Sequence, residues 1–173
     1  MHLHHRCGET IMVDFAGKKL GYTVPTSGEI IACQVFISVL PHSGLIFCCA
    51  VHSQTTGDFT HCINQMLFYY GGVPLTILCD NLKTAVTRPS KYEPVFTEGC
   101  YQLAEHYQTT FSATRPYHPR DKAMVERAVQ ICYNYIYAPL RAEIFTSLKQ
   151  LNQAITEKLM DATEVHQLGR SYP

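Results

Sequence analysis

Three carboxylates stand where a folded chain seldom puts a charge. Asp14 interrupts the strand-like run Thr10-Ile11-Met12-Val13-Asp14-Phe15, and Asp80 closes the apolar run Leu75-Thr76-Ile77-Leu78-Cys79. Glu126 lies within Asp121-Lys122-Ala123-Met124-Val125-Glu126-Arg127-Ala128-Val129-Gln130, which reads as helix. A carboxylate among apolar strand residues is costly to desolvate unless it is paired or binds a cation. A central strand, a neighbouring strand end and a crossing helix can gather such acids around hard metal ions, which take oxygen ligands. That arrangement suits phosphodiester chemistry. Taken singly, each acid has a plainer reading. Asp14 is then an edge-strand acid satisfied by a neighbour, Asp80 a turn acid before Asn81, and Glu126 a solvated helix acid beside Lys122 or Gln130.

The elements that must position these acids follow from hydrophobic periodicity. Ile11, Val13 and Phe15 alternate with Met12, Asp14 and Ala16, the period of a strand, so Asp14 and Val13 point to opposite faces. Residues 18–28 hold Gly21, Pro25 and Gly28 and read as an edge strand with turns. Residues 29–40 are nearly continuously apolar, as in a strand covered on both faces, and residues 45–51 return after a turn at Pro41-His42-Ser43-Gly44. Thr55 with Asp58 resembles a capping box ahead of Phe59, Cys62, Ile63, Met66, Leu67 and Tyr70, one helical face that Gly71-Gly72 stops. A short buried strand then delivers Asp80. Residues 81–94 read as irregular, Thr97 as the cap of a helix to Tyr107, and residues 109–113 as a further strand. Arg115-Pro116-Tyr117-His118-Pro119 is a loop, since each proline pushes its predecessor out of the helical region.

Helix resumes near Arg120, with Val125, Ala128, Val129, Cys132 and Ile136 as its apolar stripe, and Pro139 ends or kinks it. Tyr133, Tyr135 and Tyr137 alternate along this helix and are expected to scatter around it. A last helix starts at Thr146 or Ser147. The order predicts a mixed α/β fold. Three antiparallel meander strands and two parallel ones make five, with helices on the faces. Residues 1–8 read as a flank, 9–140 as the core and 141–173 as a helical extension, and the ending at Gly169-Arg170-Ser171-Tyr172-Pro173 reads as a piece of a longer protein.

Composition sets outer limits. The 173 residues, 46% hydrophobic, suffice for one domain with its own core. No apolar stretch is long enough to span a membrane, and no signal peptide opens the chain. The eight cysteines form no CxxC pair and fall mostly in apolar runs, which predicts free thiols in a reducing cytoplasm. His2, His4, His5 and Cys7 do not match the spacing of a common structural zinc site and read as a frayed linker. The 14 basic and 14 acidic residues balance, a weak footprint for a domain whose DNA affinity would rest on phosphate neutralisation.

With the elements in this order, Tyr117-His118-Pro119-Arg120-Asp121-Lys122-Ala123-Met124-Val125-Glu126 resembles the loop-and-helix motif of retroviral-type integrases, Tyr-Asn-Pro-x-x-x-x-x-Val-Glu. Asp80-Asn81 is similar to that family's second Asp, and Asp14 in Val-Asp-Phe to its first. Forty-five residues separate Asp80 from Glu126, more than is usual in retroviral integrases and similar to the IstA transposases of bacterial insertion sequences. The runs at residues 8–17, 80–86, 121–130 and 138–141 resemble IstA as well.

The resemblance implies a ribonuclease-H-like fold and a DDE-type polynucleotidyl transferase, acting with Mg²⁺ or Mn²⁺, two ions once DNA is bound. By analogy Asp14 would bridge both ions, with Asp80 completing one and Glu126 the other. Implied partners are transposon-end and target DNA, a helper AAA+ ATPase of the IstB type, and further copies of the chain. Asn81, Lys83, Arg115, Tyr117, Arg120, Lys122 and Arg127 are candidates for DNA contact. Lys122 serves equally as an i,i+4 partner of Glu126, Lys83 as a solvated loop residue, and Tyr117 as locally packed. Where retroviral integrases carry Lys further along the Glu helix, this chain has Gln130 and Tyr133, so those contacts do not carry over. Two other readings remain: a structure-selective nuclease, which needs a fourth acid such as Glu9, Asp58 or Glu98, and a non-catalytic DNA-bridging module.

Overall fold

The computed structural model describes residues 6–79, 85–88, 95–113 and 119–168, without the side chains of 86–88, 119–124 and 163–168. Strand β1 (Thr10–Phe15) is followed by β2 (Leu20–Thr23), and both pair antiparallel with the long β3 (Ile30–Val39). The register runs Phe15↔Phe36 and then Leu20↔Cys33, a slip of two positions. The ladder is therefore broken at residues 16–19; β2 is the edge strand expected within residues 18–28, and with it the sheet has six strands rather than five. Gly21 is required in the second piece: a Cβ there would lie 2.8 Å from the Ile31 carbonyl oxygen, closer than side chains tolerate.

Strand β4 (Ile46–Val51) pairs with the other edge of β3 and is buried throughout. Helix α1 (Thr56–Tyr70) begins on Thr55, whose hydroxyl accepts from the Asp58 N–H, and ends on Gly71 in the left-handed region. The Asp58 carboxylate does not complete a capping box. It accepts instead from the Ser53 N–H at 2.9 Å and from the Ser53 hydroxyl. Strand β5 (Thr76–Cys79) lies parallel to β1.

Two short strands, β6 (Val86–Arg88) and β7 (Val95–Phe96), pair antiparallel where an irregular segment was expected. Helix α2 (Glu98–Tyr107) leads to β8 (Thr110–Ala113), parallel to β5. The sheet thus combines an antiparallel meander with two parallel additions, the mixed architecture the hydrophobic pattern predicts.

Helix α3 (Pro119–Cys132) packs across β1 and β3, burying Val125, Ala128 and Cys132. It does not end before Pro139. It widens into a π turn over Tyr133–Tyr137 and runs on as the short α4 (Ala138–Leu140). A proline at this point removes one backbone donor and crowds the carbonyl four residues back. The π turn absorbs both effects, and Ala138 donates its N–H to the Tyr133 carbonyl. Helix α5 (Leu148–Leu168) packs on β4 through Leu151, Ile155 and Leu159. Among the described residues no helix is long and apolar enough to cross a membrane.

Strand β4 is an edge, and an unpaired edge invites aggregation. Helix α5 closes it at one point: Asn152 accepts from the Ala50 N–H at 2.7 Å and donates to the Ala50 carbonyl at 2.9 Å. The side-chain amide imitates the next strand. Replacing Asn152 with Ala leaves both buried backbone groups unpaired and should cost about 1–3 kcal/mol. Urea denaturation should show a lower midpoint at unchanged slope.

Candidate active site

Asp14 stands one residue before the end of β1, half-buried, with its Oδ1 accepting from the Phe15 N–H at 2.8 Å. Alongside, β5 reaches Cys79, which pairs with Val13. The Cys79 thiol is fully buried, and its pKa is pushed well above the ordinary value, first by burial, then by Cys100 and by the charge on Asp14. The Asp14 carboxylate therefore acts on the end of β5, the strand that Asp80 follows in sequence. Asp80, Asn81, Lys83, Arg115 and Tyr117 lie outside the described residues. Arg120 and Lys122 belong to α3, and their side chains lie outside the described residues. Among the described residues, which exclude Asp80, no three His, Cys, Asp or Glu side chains gather closely enough to hold a metal.

Glu126 and Arg127 are exposed on α3, beside the buried stripe of Val125, Ala128 and Cys132. Tyr133 follows Glu126 by seven residues, a spacing that returns a helix to nearly the same side. That side looks onto the break after β1. The Tyr133 hydroxyl accepts from the Lys18 N–H at 3.2 Å, and the Tyr137 hydroxyl donates to the Lys18 carbonyl at 2.7 Å. The Lys18 ammonium lies 4.7 Å from the centroid of the Tyr133 ring. The two rings meet edge-on at 4.9 Å.

The scatter expected of the three tyrosines thus holds for exposed Tyr135 but not for Tyr133 and Tyr137. Spacing of four residues was the local sign that these two share a side; their target, over a hundred residues away, left none. A cleft of about 910 Å³ opens beside the clasp, lined among others by Lys18, Lys19, Gln130, Tyr133, Arg141 and Glu143.

Residues 5–119 match the family described as integrase core domain, a match that includes Asp14 and stops before Glu126. A provisionally named transposase of Sinorhizobium fredii is 41% identical over 157 residues, covering 91% of this chain and 30% of that protein. The transposase for insertion sequence element IS21 of Pseudomonas aeruginosa is 33% identical over 168 residues, 96% of this chain and 39% of that one. The chain therefore spans about a third of the length of these relatives. Among solved structures, the HTLV-2 integrase catalytic core domain in complex with magnesium superposes with a TM-score of 0.60 at 16% identity, covering 88% of this chain and 83% of that one. The fold predicted from the sequence is that of an integrase core, and the resemblance to insertion-sequence transposases is borne out.

Burial pushes the Tyr137 phenol well above its ordinary value, with smaller contributions from Tyr133, Cys48 and Cys132, so it remains a neutral donor. A folded pKa above the unfolded one gives stability that is complete below the ordinary phenol value of about 10 and is lost as pH climbs beyond it. Tyr137→Phe should therefore flatten the alkaline decline by about 1.4 kcal/mol per pH unit, one proton's worth. Denaturation titrations between pH 9 and 11.5 measure that slope.

Proposed function

The chain belongs to the integrase core domain family, and we propose that it is the catalytic core of an IstA-type transposase. It cuts DNA at transposon ends and joins the 3′-hydroxyls to target DNA. The observation that best supports this reading is the half-buried Asp14. It stands one residue before the end of β1, the strand between β3 and β5, and the helix that carries Glu126 packs across that strand.

Asp14, Asp80 and Glu126 offer carboxylate oxygens only, a donor set that fits Mg²⁺ or Mn²⁺ and does not resemble a zinc site. These three side chains would hold the metal. Two divalent ions bound there, with DNA present, would activate a water or a 3′-hydroxyl and stabilise the leaving oxygen. The protein's own share is to hold its carboxylates in place, Asp14 by strand register and Glu126 by the packing of α3. Arg127, exposed beside Glu126, is available to a backbone phosphate, and Arg115, Arg120, Lys122, Asn81, Lys83 and Tyr117 complete the DNA-contact set we propose. Transposon-end and target DNA, an IstB-type ATPase and further copies of the chain are the partners this reading carries, acting in the cytoplasm.

A structure-selective nuclease on the same fold would need a fourth acid at the site. The three candidates are engaged elsewhere: Glu9 accepts from the Arg6 N–H, Asp58 from Ser53, and Glu98 from the Gln102 amide.

The test is strand transfer by the full-length protein with Mg²⁺ on DNA carrying transposon ends. Asp14→Asn, Asp80→Asn and Glu126→Gln should each lower joined product by about a thousandfold, the several kcal/mol that metal-assisted charge stabilisation supplies. Binding of end DNA should persist. Joined strands in the wild type separate transposition from simple cleavage, and an Asp80→Asn protein that still joined strands would sink the assignment.

A further inference from the structure

We propose that Tyr133 and Tyr137 are positioning residues: by clasping the backbone of Lys18 they set where Asp14 stands relative to the helix that bears Glu126. The proposal rests on the reading of Asp14 and Glu126 as catalytic acids.

The break in the first strand makes the clasp necessary. The Ala16 N–H still reaches the Val35 carbonyl at 2.8 Å, but the ladder to β3 resumes only at Leu20, two positions out of register. In between, both backbone groups of Lys18 are taken up by phenols, one accepting and one donating. Packing alone would be served as well by phenylalanine at both positions. Two hydroxyls spent on a single residue, four beyond Asp14, fix the backbone leaving the acid rather than fill space.

The same helix carries the other acid. Tyr133 follows Glu126 by two turns, about 10.5 Å along the axis at 1.5 Å per residue. A continuous helix transmits position over that distance, so the grip on Lys18 ties the Glu126 helix to the strand of Asp14. The π turn belongs to this device. It begins at Tyr133, carries the chain through Pro139, and brings the two rings to 4.9 Å on the Lys18 side. Such turns recur at functional sites. The requirement they would meet here is tight, since site geometry has to be held to about 0.5 Å. Mg²⁺ is the more demanding ion, because it needs near-ideal octahedral ligands.

The experiment uses the full-length protein with transposon-end DNA and compares Tyr133→Phe, Tyr137→Phe and the double variant with wild type and with Asp14→Asn. With Mg²⁺, strand transfer should fall about tenfold in each single variant, the size of one lost hydrogen bond. The Mg²⁺ concentration giving half-maximal rate should rise several-fold, end binding should hold, and Mn²⁺, which accepts less regular coordination, should restore most of the rate. A rate and Mg²⁺ requirement equal to wild type would overturn the proposal. So would a loss of rate with an unchanged Mg²⁺ requirement and a lowered melting temperature, which marks a merely structural role. Should Tyr137→Phe not fold, Tyr133→Phe reads the same quantities alone, because Tyr133 is only half-buried. If Asp14→Asn still joins strands, the reading of the acids fails. If it is inactive while the tyrosine variants match wild type, the clasp alone fails.

Discussion

Strand β1 is held from both sides, antiparallel by β3 and parallel by β5, and its register is the constraint on which the rest of the site depends. Side chains alternate along a strand, so a slip of one residue would exchange the faces of Val13 and Asp14. Val13 is wholly buried, and the exchange would drive a carboxylate into the core while exposing an apolar side chain. The apolar neighbours therefore do more than stabilise the sheet. Ile11, Val13 and Phe15 make a one-residue slip expensive, and in doing so they decide to which face the Asp14 oxygens turn.

The break after β1 follows from that constraint. An unbroken strand would carry the chain straight past Asp14 in one continuous ladder. The slip against β3 instead turns the backbone at residues 16–19 and leaves polar groups that something outside the sheet must satisfy. The helix packed across β1 does so with two phenols. One element thus supplies an acid and the support for the strand of another acid, which couples the two more closely than separate elements would.

Much of this was legible in the sequence where the physics is local. Alternation located β1, the i, i+3, i+4 spacing located the buried faces of α1, α3 and α5, and Gly71 marked the stop of α1. Two of the three acids stand where those elements predict, Asp14 on the strand and Glu126 on the helix. What the sequence hid was non-local or cooperative. Pro139 announced a disturbance without saying whether the helix would end or widen, because that choice depends on what the following turn packs against. The Lys18–Tyr133 bond joins residues 115 positions apart, and no window of sequence contains both. The edge strand within residues 18–28 was legible from its glycines and proline, but its pairing with β3 two positions out of register with β1 was not, since that register is set by the partner strand.

The cysteines and the charge balance narrow what this domain contributes. Seven of the eight thiols are buried, and burial together with mutual contact keeps those such as Cys48, Cys62 and Cys79 protonated, so they behave as small apolar side chains and offer no nucleophile. With formal charge balanced at zero, the domain also has little capacity to attract DNA as a whole. Cations are instead local: Lys18, Lys19 and Arg141 line the cleft beside the clasp, and Arg127 flanks Glu126. For the DNA-acting role we propose, so few cations would favour position over affinity, because each phosphate contact counts only where the strand already lies correctly. In the function we propose, binding energy gathered elsewhere on the substrate brings the scissile bond to the carboxylates, and strand register with the two phenols is the means we propose for setting their places in advance.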